Sequence, residues 1–283
     1  MTDYDVLIVG GGAAGLSAAR AARWEGATVA LVSDAPLGGD CTFTGCVPSK
    51  SLIEASRQGL DFADAIERVQ RVVATIAAGE NAEVLRRDGV DVIEARGTFV
   101  GPRTIEVDGR NIRAKHVIVA TGSRPAAPPI DGLDQVPYRT NEGFFDPRRR
   151  PASLVVVGGG PIGCELGEAT TRFGTKVTIV EFADRILHRY EPDASTLVAA
   201  SMREMGIDVR TKTGVKSVRH DGTGFHIDLG SETIVAEELL VATGRSPSTS
   251  GFGLDVAGVA LTKQGFIETD GYLRTNVKGV FAA

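Results

Sequence analysis

A strand, glycine-rich turn, helix and second strand follow one another twice in this chain, 148 positions apart, and that duplication leaves few folds open. The first turn is G-G-G-A-A-G at 10–15 and the second G-G-G-P-I-G at 158–163. The bare G-x-G-x-x-G spacing is weak, because 35 glycines in 283 residues produce it by chance roughly once in two such chains. The flanks supply the specificity. Residues 5–9 and 153–157 are short apolar runs of the kind buried parallel strands use, and residues 16–24 and 165–173 read as helices that stop at Gly26 and Gly174. Second strands at 28–32 and 176–180 end at Ser33 and Glu181, each 23 positions after the first glycine of its turn. In such a unit the first glycine makes the turn, the second lets the backbone approach a pyrophosphate, and the third lets the helix pack on the strand. The helix N-terminus then offers N–H groups to the phosphates. A tight turn without a ligand is the alternative, but strand, helix and spacing together indicate two dinucleotide sites. The first is built on Gly10, Gly12, Ala14 and Gly15, the second on Gly158, Gly160, Ile162 and Gly163.

The fold class is therefore α/β: two Rossmann-like three-layer dinucleotide-binding domains, each with a small antiparallel β-element. A chain of 283 residues has room for two cores of ordinary size. Residues 53–87 suggest two amphipathic helices with no counterpart in the second half. Residues 90–99, with the hairpin 104–107/111–114 through Asp108 and Gly109, read as the antiparallel element of the first half. Residues 207–210, 225–229 and 232–235 read as that of the second, and each half closes on a buried strand and a turn, 117–125 and 239–247. The boundaries expected are 1–147 with 268–283 for a discontinuous first domain and 148–267 for the second. Residues 125–129 and 146–151, including Arg148, Arg149 and Arg150, read as linker. With 31 basic against 36 acidic residues, net −5, nothing favours nucleic acid. The start, with Asp3 and Asp5, is no signal peptide, and no run approaches the ~18 apolar residues of a membrane span. A cytoplasmic protein without membrane or nucleic-acid partners is expected.

Between the turns lies C-T-F-T-G-C-V-P-S-K at 41–50. Proline near a helix start places Cys46 at a helix N-terminus, where the dipole favours a thiolate. Lys50, four residues on, falls on the same helical face. Cys41 and Cys46 are close enough in sequence to bridge, although spacing does not fix the geometry. Two inert buried thiols, a structural disulfide or a metal half-site are the other readings; only Cys164 remains to complete a sulfur-rich site, so no metal is expected. Cys164 reads as a packed small residue. Glu181, an acid at the end of a second strand, would accept a ribose 2′-OH and repel a 2′-phosphate, which favours NAD(H), while Arg185 keeps NADP(H) open.

These residues resemble the flavin-dependent pyridine nucleotide-disulfide oxidoreductases, in the C-x4-C class that includes dihydrolipoyl dehydrogenase, glutathione reductase and mercuric reductase. The order FAD turn, G-G-x-C-x4-C-x-P-S-K, A-T-G, NAD(P) turn and A-T-G-R is complete here at 10–15, 38–50, 120–122, 158–163 and 242–245. The wording around Asp40 and at 158–165 is nearest the mercuric reductase-like branch. The resemblance implies that Cys41 is the interchange thiol, that Cys46 faces the flavin, and that Lys50 lies beside the flavin and pairs with Glu165. An acid in the first turn of a helix is the plain alternative for Glu165. It further implies FAD contacts from Gly39, Gly97, Thr121 and Gly122 and an NAD lining from Val215, Gly244 and Arg245.

Two departures stand out. Where the family has a glutamate for the adenosine ribose of FAD, this chain has Ser33 followed by Asp34. It ends at 279–283, inside a strand that in the family leads to Gly-Asp and on to a dimerisation domain carrying His-x4-Glu; none of His116, His188, His220 or His226 occupies such a motif. A C-terminally truncated fragment of a homodimeric parent is expected. The reaction expected is FAD-dependent NAD(P)H oxidoreduction through a Cys41–Cys46 disulfide to a disulfide-type or metal-ion acceptor. The alternative is a catalytically incomplete nucleotide-binding scaffold.

Overall fold

The computed structural model describes residues 2–146 and 149–283. The boundary expected at 147/148, and Arg148 of the arginine run, lie outside the described residues. The chain divides into two compact units, Met1–Phe43 with Ala74–Arg124 and Ser246–Ala283, and Thr44–Val73 with Pro125–Arg245.

The first unit is built on a seven-stranded sheet. Val90–Ile93, Val29–Val32, Tyr4–Val9 and the end of Arg110–Val119 run parallel in that order, and Val280–Ala282 adds to the far side of Val117–Val119. The start of the strand Arg110–Val119 turns antiparallel duty, pairing with Thr104–Val107, which pairs with Thr98–Gly101. The hairpin expected at 108–109 is there, with both residues at positive φ, 49° and 78°, as a two-residue primed turn requires. Successive side chains of Tyr4–Val9 point to opposite faces: Ile8 packs with Leu16, Ala19 and Leu31 under the helix Ala13–Trp24, while Leu7 and Val9 pack with Phe99, Ile105 and Val117. Each such fully buried aliphatic side chain contributes about 1.5–3 kcal/mol relative to exposure.

The second unit repeats the plan. Asp208–Arg210, Lys176–Val180, Ser153–Val157 and Glu238–Val241 form a parallel sheet in that order, and Ser217–His220, Phe225–Asp228 and Thr233–Ala236 form an antiparallel one. Val155, Val157 and Leu239 face the antiparallel strands through Phe225 and Ile227. Leu154, Val156 and Ile179 face the helix Pro161–Arg172 through Leu166 and Ala169, and the same cluster takes in Leu52, Ala55, Ile66 and Val69 from the region after the cysteines.

Four sequence expectations need correction. Residues 90–93 and 208–210 are parallel edge strands of the nucleotide sheets, not members of the antiparallel elements. The strand expected at 117 onward is continuous with the second arm of the hairpin, so one ten-residue strand serves both pairings. Three helices, Cys46–Arg57, Phe62–Ala78 and Ala82–Arg87, stand where two were expected, because Asn81 caps a separate short helix through the Val84 N–H. The strand Ser217–His220 had no counterpart in the sequence reading.

Candidate functional site

Both glycine turns have the same backbone. Gly10 and Gly158 sit at φ 110°, where a side chain would drive into the carbonyl of Ala120 or Ala242, at 2.1 and 2.5 Å. A Cβ on Gly15 or Gly163 would lie 1.9 or 2.0 Å from the carbonyl oxygen of Gly10 or Gly158. The middle glycines differ in kind: Gly12 and Gly160 cap their helices in extended conformation with no side-chain cap, and a Cβ there would meet nothing within 4 Å. Neither helix carries an acid in its first turn. Open space over uncapped N–H groups is what a pyrophosphate needs, so the residues present fit a dinucleotide at each turn. Ala14 is exposed beside the first opening and Ile162 half-buried beside the second.

The strand ends differ. Glu181 is buried, and its carboxylate accepts hydrogen bonds from the Gly159 N–H at 2.6 Å and the Ala183 N–H at 2.7 Å. Ser33, also buried, turns its hydroxyl to the Ala35 carbonyl at 3.0 Å. Asp34 is exposed and pairs with Arg96 at 3.1 Å, whose guanidinium also reaches the carbonyls of Ser250 and Gly251 and lies 4.5 Å over the Phe252 ring. Arg185 is occupied locally, on the His188 carbonyl at 2.9 Å and Asp184 at 3.5 Å.

In the first unit the glycines ahead of Cys41 anchor the thiol segment to the turn. The Gly38 N–H donates to the Gly11 carbonyl at 2.9 Å, and a Cβ on Gly39 would lie 2.8 Å from the Gly12 Cα. Cys41 is half-buried in the short helix Gly39–Phe43, which Thr42 fixes by donating to Glu80 at 2.7 Å. Gly97 is buried, its Cβ position 2.8 Å from Ile105 and 3.0 Å from Val32, and Thr121 and Gly122 follow the strand paired with Tyr4–Val9.

In the second unit Cys46 is the first residue of the helix Cys46–Arg57, capped by Gly45, and is exposed. Lys50, one turn on, donates to both carboxylate oxygens of Glu165 at 2.8 and 2.6 Å, and Ser49 donates to the same carboxylate at 3.2 Å. Glu165 is the fifth residue of the helix Pro161–Arg172, beyond the reach of the first-turn dipole, so the ion pair and not the helix end accounts for it. With 58% and 37% of the two side chains exposed, the pair adds little stability; its content is positional. It joins the helix that starts at Cys46 to the helix that starts at the second glycine turn. Ser49 carried no role in the sequence reading, although it stands in the quoted P-S-K; only the packing of the two helices brings it to the carboxylate.

The three cysteines are thiols in the structure. Cys164 is buried and its Sγ donates to the Gly159 carbonyl at 3.4 Å; burial first, then the charges of Glu181, Glu165 and Glu168, pushes its pKa up to about 12. Val215 is half-buried against the antiparallel strands, and Gly244, at φ 155°, and Arg245 follow the strand Glu238–Val241. Among the described residues no helix is long and apolar enough to cross a membrane.

Comparison with known proteins gives a consistent result. The family model described as pyridine nucleotide-disulphide oxidoreductase matches residues 4–283. The chain is 34% identical over 302 residues to a mercuric reductase of Staphylococcus aureus, spanning 99% of this chain and 55% of that protein. It is 32% identical over 302 residues to a dihydrolipoyl dehydrogenase of Acholeplasma laidlawii, spanning 99% of this chain and 89% of that one. The solved structure of the HOCl-induced flavoprotein disulfide reductase RclA from Escherichia coli, as its Cu(II) complex, superposes with a TM-score of 0.89 at 28% identity, over 98% of this chain and 65% of that one. The chain thus spans about half to two thirds of the mercuric reductases it matches, between 48% and 65%.

Proposed function

The chain belongs to the pyridine nucleotide-disulphide oxidoreductase family, and from that premise we propose that it carries the electron path from NAD(H) to a Cys41–Cys46 couple and on to a disulfide-type or metal-ion acceptor. FAD belongs at the first turn, held by Gly10, Gly12, Ala14 and Gly15 with Ser33 or Asp34, Gly39, Gly97, Thr121 and Gly122. NAD(H) belongs at the second, held by Gly158, Gly160, Ile162, Gly163 and Glu181 with Val215, Gly244 and Arg245. When bound, the two cofactors carry a hydride's two electrons to the protein disulfide, and everything else falls to the chain.

The observation that carries the reading is the Lys50–Glu165 pair, which docks the helix starting at Cys46 on the helix starting at the second turn. Cys46 starts its helix one turn before Lys50, so the lysine cation lies on the helix face nearest the thiol. Glu165 keeps the Lys50 cation in place. Two electrons and two protons reduce the Cys41–Cys46 disulfide to two thiols. The Cys41 thiolate then attacks an acceptor disulfide, releasing one acceptor thiol and forming a mixed disulfide. Cys46 displaces the second acceptor thiol and restores the protein disulfide. Cys164 stays out, because a buried thiol with a pKa of about 12 has almost no thiolate at neutral pH. NADH is the preferred donor: the Glu181 carboxylate is fixed by two N–H groups and would meet a 2′-phosphate with its own charge, and Arg185 is engaged elsewhere.

Anaerobic titration of the FAD-loaded protein with NADH tests this. The expected result is a long-wavelength absorption from thiolate against flavin, absent in Cys46→Ser. FAD-loaded protein that is bleached by NADH without that absorption would leave only the nucleotide-binding scaffold, and protein that NADH does not reduce would overturn the reading.

A further inference from the structure

Cys41 sits on the five-residue helix Gly39–Phe43, and a helix that short does not hold itself together in water. Thr42, beside Cys41 and 2% exposed, donates its hydroxyl to the Glu80 carboxylate at 2.7 Å, across 38 positions of chain. Gly38 makes room for that bond. It stands at φ 110°, and a Cβ there would lie 2.7 Å from the Thr42 hydroxyl oxygen and 2.8 Å from the Glu80 carboxylate oxygen, so a side chain would part the two. Glu80 is itself fixed. It lies in the turn between the helices Phe62–Ala78 and Ala82–Arg87, where the Gly79 N–H donates to the Ile76 carbonyl at 2.9 Å and the Glu80 N–H to the Ala77 carbonyl at 3.1 Å. Arg20 reaches the Gly79 carbonyl at 3.2 Å from the helix Ala13–Trp24, and the Asn81 amide donates to the Ala78 carbonyl at 2.9 Å. On the apolar side Leu37, next to Gly38, shares a cluster with Leu85 and Ala82. The carboxylate is thus a fixed post and not a free surface acid.

The bond stands while Cys41 and Cys46 are both thiols, the state in which no S–S bond restrains Cys41. We propose that Glu80 is a positioning residue for Cys41: through Thr42 it keeps that thiol in place once the disulfide has opened. This rests on the reading of Cys41 and Cys46 as a redox couple. A closed disulfide already limits where Cys41 can be, whereas the dithiol depends on other restraints. Order in the dithiol is freedom given up before the S–S bond forms, so closure costs less and the disulfide gains relative to the dithiol. Without the Thr42–Glu80 bond the dithiol is freed more than the disulfide. The couple then becomes easier to reduce.

The test is a redox titration of the FAD-loaded protein, equilibrated anaerobically in mixtures of reduced and oxidised dithiothreitol without nicotinamide nucleotide. Dithiothreitol gives two electrons and two protons to the protein disulfide and closes its own. Alkylation with mass spectrometry reads the fraction of Cys41 and Cys46 present as dithiol. Wild type, Glu80→Ala, Thr42→Val, Glu80→Gln and Thr42→Ser are compared; Thr42→Val nearly keeps the side-chain volume and carries the test even where Glu80→Ala does not fold. The expected result in Glu80→Ala and Thr42→Val is a shift of about ten-fold toward the dithiol, or about 30 mV less negative, the scale of one hydrogen bond. Glu80→Gln keeps an acceptor oxygen and Thr42→Ser keeps the hydroxyl, so both should titrate with the wild type. Wild-type titration in Glu80→Ala and Thr42→Val overturns the positioning role. So does a shift in Glu80→Gln as large as that in Glu80→Ala, which would assign the effect to the charge and not to the hydrogen bond. Wild-type Cys41 and Cys46 that do not change across the mixtures overturn the couple itself.

Discussion

The two glycine turns are nearly superimposable as backbone and unlike as chemistry. Gly10 and Gly158 share φ 110°, and Gly12 and Gly160 cap their helices at φ −76°, ψ −174° and φ −75°, ψ −178°. At the strand ends the likeness stops: Glu181 grips the Gly159 N–H, while Ser33 turns away to Ala35 and Asp34 to Arg96. Close packing dictates the turn, so any chain using it must place glycine at the same points. The residue at the strand end is free to vary, and there the two turns differ in chemistry.

The largest effect is expected where the turns are alike. Gly15→Ala and Gly163→Ala each force a methyl to about 2 Å from a backbone carbonyl that the sheet holds in place, and should each destabilise by ~3 kcal/mol or more in urea unfolding. Equal losses sharpen the equivalence of the turns; tolerance of either would break it. Next comes the difference between them. Glu181→Ala strands the buried Gly159 N–H and should cost about 1–3 kcal/mol together with NADH affinity, whereas Ser33→Ala removes one local hydroxyl contact and should cost about 0.5–1.5 kcal/mol. If Ser33→Ala costs as much as Glu181→Ala, the strand ends are not the distinction described.

The effect that is smallest at neutral pH concerns Cys164, which lies in the helix after the second turn. Its thiol ordinarily ionises near 9.0 and is pushed up to about 12 in the fold, chiefly by burial. The protonated thiol is favoured by folding, so this contribution is complete below about pH 9 and is lost as the pH rises toward 12. Stability should fall by at most about 1.4 kcal/mol per pH unit in that window, and Cys164→Ala should flatten the fall. An unchanged slope in Cys164→Ala would assign it to other groups.

Much of this architecture was legible in the sequence, for a physical reason. Strands buried on both faces must be continuous apolar runs, and Ser153–Val157 and Lys176–Val180 were bounded to the residue on that basis. Strict packing made the glycines legible too. Edge strands gave no such signal: Val90–Ile93 alternates buried and exposed residues like one arm of a hairpin, and only its partner Val29–Val32 reveals that it runs parallel. The helices after the cysteines showed their periodicity but not their neighbours. That Leu52, Ala55 and Ile66 share a core with Leu154 and Val156 is a tertiary fact, with no trace in local pattern. The Lys50–Glu165 pair came from the family resemblance, since 115 positions separate its members; Ser49 came only from the fold.

Differential alkylation with mass spectrometry tests the path between the turns most directly. Oxidised, FAD-loaded protein is treated with an alkylating reagent before and after anaerobic addition of NADH. The expected result is that Cys41 and Cys46 are protected before NADH and labelled after it, while Cys164 is unlabelled in both samples until the chain is unfolded. NADH-dependent labelling of Cys164, or labelling of Cys41 and Cys46 that NADH does not alter, would contradict it.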